Sequence, residues 1–306
     1  MPAPALAVEH LTHRYADRTA LDDVSFDIAA GTTVAILGPN GGGKSTLFRI
    51  CATLLRPTSG TARVAGADVV RQPADARRRL GVVFQSPALD NRLTVRENLV
   101  HHGRLHGLRG EPLRRATDAA LQRVRLDDRA DDLVMQLSGG LRRRAELAKV
   151  LLTKPAVLLL DEPTTGLDPG ARREIWRDLE HLRAETGGTV VLTTHLLDEA
   201  ETADRVLILD RGRIVADGAP DTLTRQVGRD VIRLQTPDAH ALAAAITTRL
   251  SLPAAAVDGE VRIEHDEGHR VVPALFEAFP AEIRAVHVGR PTLEDVFVHC
   301  TGRRFE

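Results

Sequence analysis

An α/β fold built on a parallel sheet is predicted by three features that follow one another along the chain. Residues Thr33-Val34-Ala35-Ile36-Leu37 form a short apolar run rich in β-branched side chains, as expected of a strand buried on both faces. The glycine-rich segment Gly38-Pro39-Asn40-Gly41-Gly42-Gly43-Lys44-Ser45-Thr46 follows directly and fits the pattern G-x-x-x-x-G-K-[ST]. Leu47, Ile50, Leu54 and Leu55 then recur at helical spacing and predict a helix that Pro57 stops.

Strand, glycine turn and helix in this order make a phosphate cradle. Glycines let consecutive backbone N–H groups curl around an anion, and the helix N-terminus adds its positive end. The segment therefore predicts binding of ATP or GTP, with Lys44 reaching the β- and γ-phosphates and Ser45 ligating Mg²⁺. A stray surface lysine is a poor account of the match, because the chain has only the lysines Lys44, Lys149 and Lys154.

Composition excludes several classes. With 306 residues and 43% hydrophobic content, the chain has room for two globular domains and no sign of disorder. Its 41 Lys and Arg nearly balance 42 Asp and Glu, so no strong footprint for nucleic acid is expected; the clusters Arg77-Arg78-Arg79 and Arg142-Arg143-Arg144 read as solvated helix faces. Cys51 and Cys300 offer neither a disulfide framework nor a metal cluster, fit a reducing cytoplasm, and read as packing residues. No apolar run approaches the roughly 20 residues of a membrane span, and no signal-peptide pattern opens the sequence, so any membrane role is expected to come through a partner.

The remaining elements follow in order. Leu6 to Ile28 reads as a hairpin. Between Gln85 and Ser138 the pattern turns helical and polar, at Arg104 to Leu108 and Leu113 to Val124. Leu137-Ser138-Gly139-Gly140 opens a further helix, Ala145 to Leu152, with Leu147, Val150 and Leu151 apolar. Ala156 to Leu160 is a buried strand that delivers Asp161 and Glu162 at its carboxyl end, where open α/β sheets bind ligands. Asp161 suits the Mg²⁺ shell and Glu162 is placed to polarise an attacking water. In isolation both carboxylates fit a helix cap before Pro163 equally well; the phosphate turn upstream makes the catalytic reading dominant. Thr189 to Thr193 is another strand, followed by His195 and a helical run from Leu196 to Ala203. Asp210 to Val215 closes this unit as a hairpin, and a helix from Pro220 to Gln226 ends near Gly228.

With Leu137-Ser138-Gly139-Gly140 placed shortly before the Asp161-Glu162 strand, the first 225 or so residues resemble the ATP-binding-cassette ATPases, whose signature is Leu-Ser-Gly-Gly-Gln. The resemblance implies a P-loop NTPase cassette with a mixed sheet core, an N-terminal antiparallel β-subdomain and a helical signature subdomain. It also implies that Ser138, Gly139 and Gly140 contact the γ-phosphate of ATP held by a second copy, so that two copies meet head to tail as a homodimer. Leu141 stands where the family usually has Gln and lacks its hydrogen-bonding group, so no role is assigned to it. Gln85, after Val82-Val83-Phe84, is similar to the glutamine that touches Mg²⁺ or the attacking water. Asp168, in Thr164-Thr165-Gly166-Leu167-Asp168, resembles the residue facing the opposite subunit, and it also fits a turn before Pro169. His195 is implied at the γ-phosphate, orienting Glu162 and water. Tyr15, the only tyrosine, matches the aromatic that stacks on adenine. The surface between Gln85 and Leu105 is implied to receive a cytoplasmic helix of a permease, with Leu93-Thr94-Val95 as an apolar docking edge.

A boundary follows, with the cassette at 1–226, its helical subdomain at about 87–145, and a small α+β domain at 229–306. In the latter, Val231 to Leu234, Val261 to Ile263 and Ile283 to Val288 alternate like strands, while Ala239 to Leu250 and Val271 to Phe279 look helical. It carries no phosphate loop, paired acids or metal-ligand spacing. Its ending, Pro291 to His299 with Thr301-Gly302-Arg303, resembles ATPase subunits of ABC-2-type exporters, including antibiotic-resistance systems; Thr292 and Asp295 also fit an N-cap and its third helical residue. The expectation is an ATPase at the cytoplasmic face of the membrane, powering export through a separately encoded ABC-2-type permease. Importer ATPases share the whole cassette but not this ending. Soluble cassettes acting on DNA or ribosomes usually carry tandem cassettes or a coiled-coil insertion, and a small-molecule kinase has no use for Ser138-Gly139-Gly140 or Glu162.

Overall fold

The computed structural model describes residues 3–228 and 230–305. The chain opens with β1 (Leu6–Tyr15) and β2 (Arg18–Ile28), continues through β3 (Thr33–Leu37) and α1 (Lys44–Cys51), and returns as β4 (Ser59–Val64) and β5 (Ala67–Asp68). Next, α2 (Pro73–Arg79) leads into β6 (Leu80–Val83), and α3 (Val95–Leu105), α4 (Gly110–Arg123) and α5 (Gly139–Leu151) form a helical layer. Then come β7 (Val157–Asp161), α6 (Pro169–Thr186), β8 (Thr189–Thr194), α7 (Leu197–Ala200), β9 (Arg205–Asp210), β10 (Arg213–Gly218) and α8 (Pro220–Val227).

The central sheet has the order β10-β9-β3-β8-β7-β6. It is parallel except for the β9-β10 hairpin. Every residue of β3 is buried because both faces are covered. Ala35 and Leu37 join Leu158, Leu160 and Leu192 in a core beneath the helical layer, whereas Val34 and Ile36 face Leu47, Phe48 and Ile50 of α1 on the opposite side. That second core is closed by the antiparallel sheet β2-β1-β4-β5. The register of β3, β8 and β7 sets their carboxyl ends side by side, so Gly38, His195 and Glu162 emerge at one edge.

Several boundaries differ from the sequence expectation. Helix α1 stops at Cys51, before Pro57, because Thr53 takes a left-handed backbone (φ 64°), and Leu54 is left exposed. Arg104 to Leu108 is the end of α3 and a turn through Gly107 (φ 83°), not a separate helix. Leu93-Thr94-Val95 is not an apolar edge. Thr94 caps α3 in a reciprocal arrangement with Glu97, and Val95 is fully buried. The helix expected over Leu196 to Ala203 shrinks to α7.

After residue 229, β11 (Asp230–Gln235), α9 (Ala239–Leu250), β12 (Ala254–Val257), β13 (Glu260–His265), α10 (Gly268–Ala278) and β14 (Ala285–Gly289) build an antiparallel sheet of order β12-β13-β11-β14. It has its own core, including Ile232, Leu234, Ile246, Ile263 and Leu275. Strand β12 has no counterpart in the sequence reading, since its alanines carry no strand preference. The final helix, α11 (Leu293–Thr301), leaves this core; its Leu293, Val296 and Phe297 are buried with residues of the central sheet's helical side. Cys51 is buried and its thiol is pushed up to about 12 by burial, but Cys300 is exposed, so it is not the packing residue expected.

Candidate active site

The phosphate turn is shaped by close backbone packing. A Cβ at Gly38 would come within 2.2 Å of the Leu209 carbonyl oxygen, and one at Gly43, which adopts φ 112°, within 2.7 Å of the Ala20 carbonyl oxygen. Only glycine lets the turn nest between β9 and the β1-β2 sheet. Gly43 is the N-cap of α1 and offers no side chain to the helix, so the first-turn N–H groups at Lys44, Ser45 and Thr46 lack a side-chain cap. The buried Lys44 Nζ donates to the carbonyl oxygens of Gly38 at 2.6 Å and Pro39 at 3.1 Å. Burial lowers its pKa below 10.5, opposed by the charges of Glu162 and Asp161. A cation held in a glycine cradle, at an uncapped helix start, is a site for an anion.

Asp161 ends β7 and Glu162 follows it. The Thr193 hydroxyl donates to Asp161 Oδ1 at 2.6 Å. Burial pushes the Asp161 carboxyl up, helped by Glu162 and opposed by Thr193, Arg49 and Lys44. Glu162 has a left-handed backbone (φ 45°), an unfavourable state for a side chain of this type, and its N–H is held by both Thr193 oxygens at 3.1 Å. Its Oε2 accepts from Gln85 Nε2 and from the Thr165 hydroxyl, each at 3.1 Å. His195 Nδ1 lies 3.3 Å from the same oxygen without hydrogen-bond geometry, and Lys44 Nζ stands 4.0 Å from Oε1. Gln85, Lys44, Asp161, Glu162 and His195 are thus brought together from the ends of four sheet strands.

These groups fit a magnesium nucleotide. Among the described residues no group of three or more His, Cys, Asp or Glu could hold a metal alone. The Ser45 hydroxyl and the Asp161 carboxylate are hard oxygen donors of the kind Mg²⁺ takes together with phosphate oxygens and water.

Ser138, Gly139 and Gly140 lie apart from this cluster, at the start of α5. The Ser138 hydroxyl caps the helix through the Leu141 N–H at 3.3 Å. A Cβ on Gly139 would meet Leu167 at 3.2 Å, and one on Gly140 would meet Ala171 at 3.1 Å. The turn therefore packs on the segment carrying Asp168, whose carboxylate caps α6 through Gly170 and Ala171 N–H groups at 2.9 and 3.0 Å. Those N–H groups, Ala171 first, hold the Asp168 carboxyl below its ordinary range. Ser138, Gly139 and Asp168 are exposed, beside the exposed Met135. Leu141 packs against the core under the helical layer. Tyr15 ends β1, 41% exposed and edge-on to His13 with ring centroids 4.4 Å apart. Its register partner Arg18 donates to the Gly41 carbonyl at 2.9 Å, which ties this end of the hairpin to the phosphate turn.

Sequence reasoning did not single out Arg18, Thr165 or the roles of Thr193 and Arg143. Thr193 carries a signal, a polar residue that follows the apolar run Val190-Val191-Leu192 two positions before His195. Arg143 was misread with its cluster, because its guanidinium is buried, 6% exposed, against Glu146. The exposed Arg77, Arg78 and Arg79 do form a solvated face.

Comparison with known proteins places this geometry. The sequence pattern of the ABC transporter family matches residues 21–165. The daunorubicin resistance ATP-binding protein DrrA3 of Streptomyces coeruleorubidus is 43% identical over 312 residues, covering 99% of this chain and 97% of that protein. The Nod factor export ATP-binding protein I of Paraburkholderia xenovorans is 39% identical, over 100% of both. Among solved structures, cbiO1 from Clostridium perfringens, part of the ABC transporter complex cbiONQ, has a TM-score of 0.69 at 30% identity, covering 81% of this chain and 96% of that one. The post-hydrolysis dimer of the cassette MJ0796 bound to ADP and Pi has a TM-score of 0.63 at 29% identity, covering 70% of this chain and 98% of that one. The fold agrees with these likenesses to ATP-hydrolysing cassettes, and the chain belongs to the family of ABC transporter ATP-binding proteins.

Proposed function

We propose that this chain is the ATP-hydrolysing subunit of an ABC-2-type export system, acting as a head-to-tail homodimer on the cytoplasmic face of a membrane through a separate permease. The observation that carries the catalytic part is the convergence of Gln85, Thr165, His195 and Lys44 on the carboxylate of Glu162. The exporter part rests on relatives named for daunorubicin resistance and Nod factor export, matched over nearly the whole chain.

In this reading Gly38, Pro39, Asn40, Gly41, Gly42, Gly43, Ser45 and Thr46 wrap the phosphates, Lys44 neutralises the γ-phosphate, and Tyr15 stacks on adenine. Ser45, Asp161 and Gln85 would hold Mg²⁺, which would supply positive charge to offset that of the phosphates. Glu162 accepts the proton of the attacking water, while Gln85 and His195 fix that water and the γ-phosphate against it. Ser138, Gly139, Gly140 and Asp168 of a second copy close the other side. The permease seats a cytoplasmic segment in the cleft of about 280 Å³ between Val82-Val83-Phe84 and α3, lined also by Ala88, His102 and His106. Burial, with His106 and Lys149 nearby, lowers the His102 pKa to about 4 and keeps that imidazole neutral near pH 7. The division into a cassette at 1–226 and an accessory domain at 229–306 belongs to the same proposal, with α11 as the strap between them.

The test is purification of the chain from solubilised native membranes. A polypeptide with several apolar spans should accompany it, and Glu162→Gln should keep that partner and lose phosphate release. A chain that leaves the membrane alone, or a variant that hydrolyses ATP at the native rate, contradicts the proposal.

A further inference from the structure

The segment that follows β6 carries Gln85, yet it is held by the helical layer. From one face of α5, at intervals of three residues, Arg143, Glu146 and Lys149 all reach it. The Arg143 guanidinium donates to the carbonyl oxygens of Phe84 at 2.6 Å and Gln85 at 3.2 Å. The same Arg143 Nη1 donates to Glu146 Oε2 at 2.8 Å, and Glu146 Oε1 accepts the Ala88 N–H at 2.7 Å. Lys149 Nζ donates to the Ala88 carbonyl at 2.7 Å. Farther along, the Asn98 side-chain amide of α3 accepts from Asp90 N–H at 2.8 Å and donates to its carbonyl at 3.0 Å. The Arg143 and Glu146 side chains are 6% and 2% exposed, so this is a buried ion pair whose spare donors are spent on backbone. A buried pair of this kind is weak support for stability but fixes geometry strongly. The planar guanidinium is suited to span two carbonyls, which a lysine ammonium is not.

We infer that Arg143 is a positioning residue for ATP hydrolysis. It clamps the backbone of Phe84 and Gln85 so that Gln85 Nε2 stays on the Glu162 carboxylate, 3.1 Å away. Because Arg143 lies five residues after Ser138, the N-cap of the same helix, a pull on Ser138 reaches Gln85 through a single side chain. The inference rests on the reading of Gln85 and Glu162 given above.

The test compares the native full-length chain with Arg143→Lys, Gln85→Ala and the double variant, reading kcat and KM for ATP separately and thermal midpoint as a check on folding. Arg143→Lys keeps a cation beside Glu146 and should lower kcat about tenfold with KM nearly unchanged, the effect of misplacing a group by a fraction of its contact distance. In the Gln85→Ala background the same change should have less than about a twofold effect, since both act through one contact. Equal losses in both backgrounds, or a native kcat for Arg143→Lys, overturn the inference while leaving the site reading intact. A native kcat for Gln85→Ala overturns the site reading itself, and the inference with it. Should Arg143→Lys not fold, Arg143→Gln combined with Glu146→Gln, which removes both buried charges together, carries the same comparisons.

Discussion

A glycine stands at the start of both α1 and α5, as the N-cap Gly43 of one and the first residue Gly139 of the other, yet they present their first turns differently. The start of α1 has no side-chain cap and holds a buried lysine against the turn, whereas α5 carries the Ser138 hydroxyl on its Leu141 N–H. The first terminus has a cation, two carboxylates and a histidine around it; the second has an exposed face shared with Asp168 and Met135. An anion can be held and attacked at α1, and only touched at α5. Helix α11 supplies a purely structural reference, since Thr292 and Asp295 cap its first turn reciprocally.

Four substitutions separate these termini. Glu162→Gln should cut phosphate release by about 10³-fold, within the range for a lost general base, while fluorescent-nucleotide titration finds ATP affinity nearly native. Equal loss of affinity and turnover would place Glu162 in binding instead. Asp295→Ala should cost about 3 kcal/mol of stability, because Asp295 is buried and paired with Arg262 and Arg233, and its loss leaves their charge uncompensated. Burial raises the Asp295 carboxyl, but the Thr292 N–H, Arg233, the Thr292 hydroxyl and Arg262 outweigh it and hold the pKa below 3.8. The depressed folded value means that this stabilisation is full above the unfolded pKa and fades as pH falls through the folded one, which acid unfolding of the native chain and the variant would resolve.

Lys44→Ala should weaken ATP binding by about 30-fold, the size of a charge-assisted contact of about 2 kcal/mol, in equilibrium titration. The native affinity should also decline on the alkaline side before pH 10.5, since the cation is required and its folded pKa is lowered. Affinity flat to that pH would separate Lys44 from the phosphates. Ser138→Ala is the smallest, about 1 kcal/mol of helix-cap stability read as a shifted thermal midpoint, with nucleotide affinity of the single chain unchanged.

The difference between the two termini also decides what was legible in the sequence. The α1 site is local: strand, turn and helix are contiguous, and Gly38 to Thr46 announce themselves by type and order. Asp161, Glu162 and His195 were legible because each follows a strand whose apolar run is easy to read. What joins them was not. The Thr193 bonds and the Arg143 clamp depend on strand and helix register between segments tens of residues apart, which spacing along the chain does not encode, and the Thr165 contact, three residues from Glu162, depends on the left-handed turn at Glu162. The same blindness turned Arg143 into a surface residue and Leu93 to Val95 into a docking edge, although Thr94 and Glu97 spell a capping box. Cys300 was assigned to packing because helical phase near a chain end is weakly constrained, and the burial of Phe297 with the central sheet's helical side is a tertiary fact that spacing does not encode.

The central claim, a site completed by a second copy, is tested most directly by mixing two chains that both carry Glu162→Gln. One adds Lys44→Ala and the other Ser138→Arg, so that neither forms a complete site with itself but a mixed pair forms one. Sedimentation with ATP should find each alone as a monomer and the mixture as a dimer. A mixture that stays monomeric, or a Ser138→Arg chain that dimerises by itself on ATP, would contradict the account.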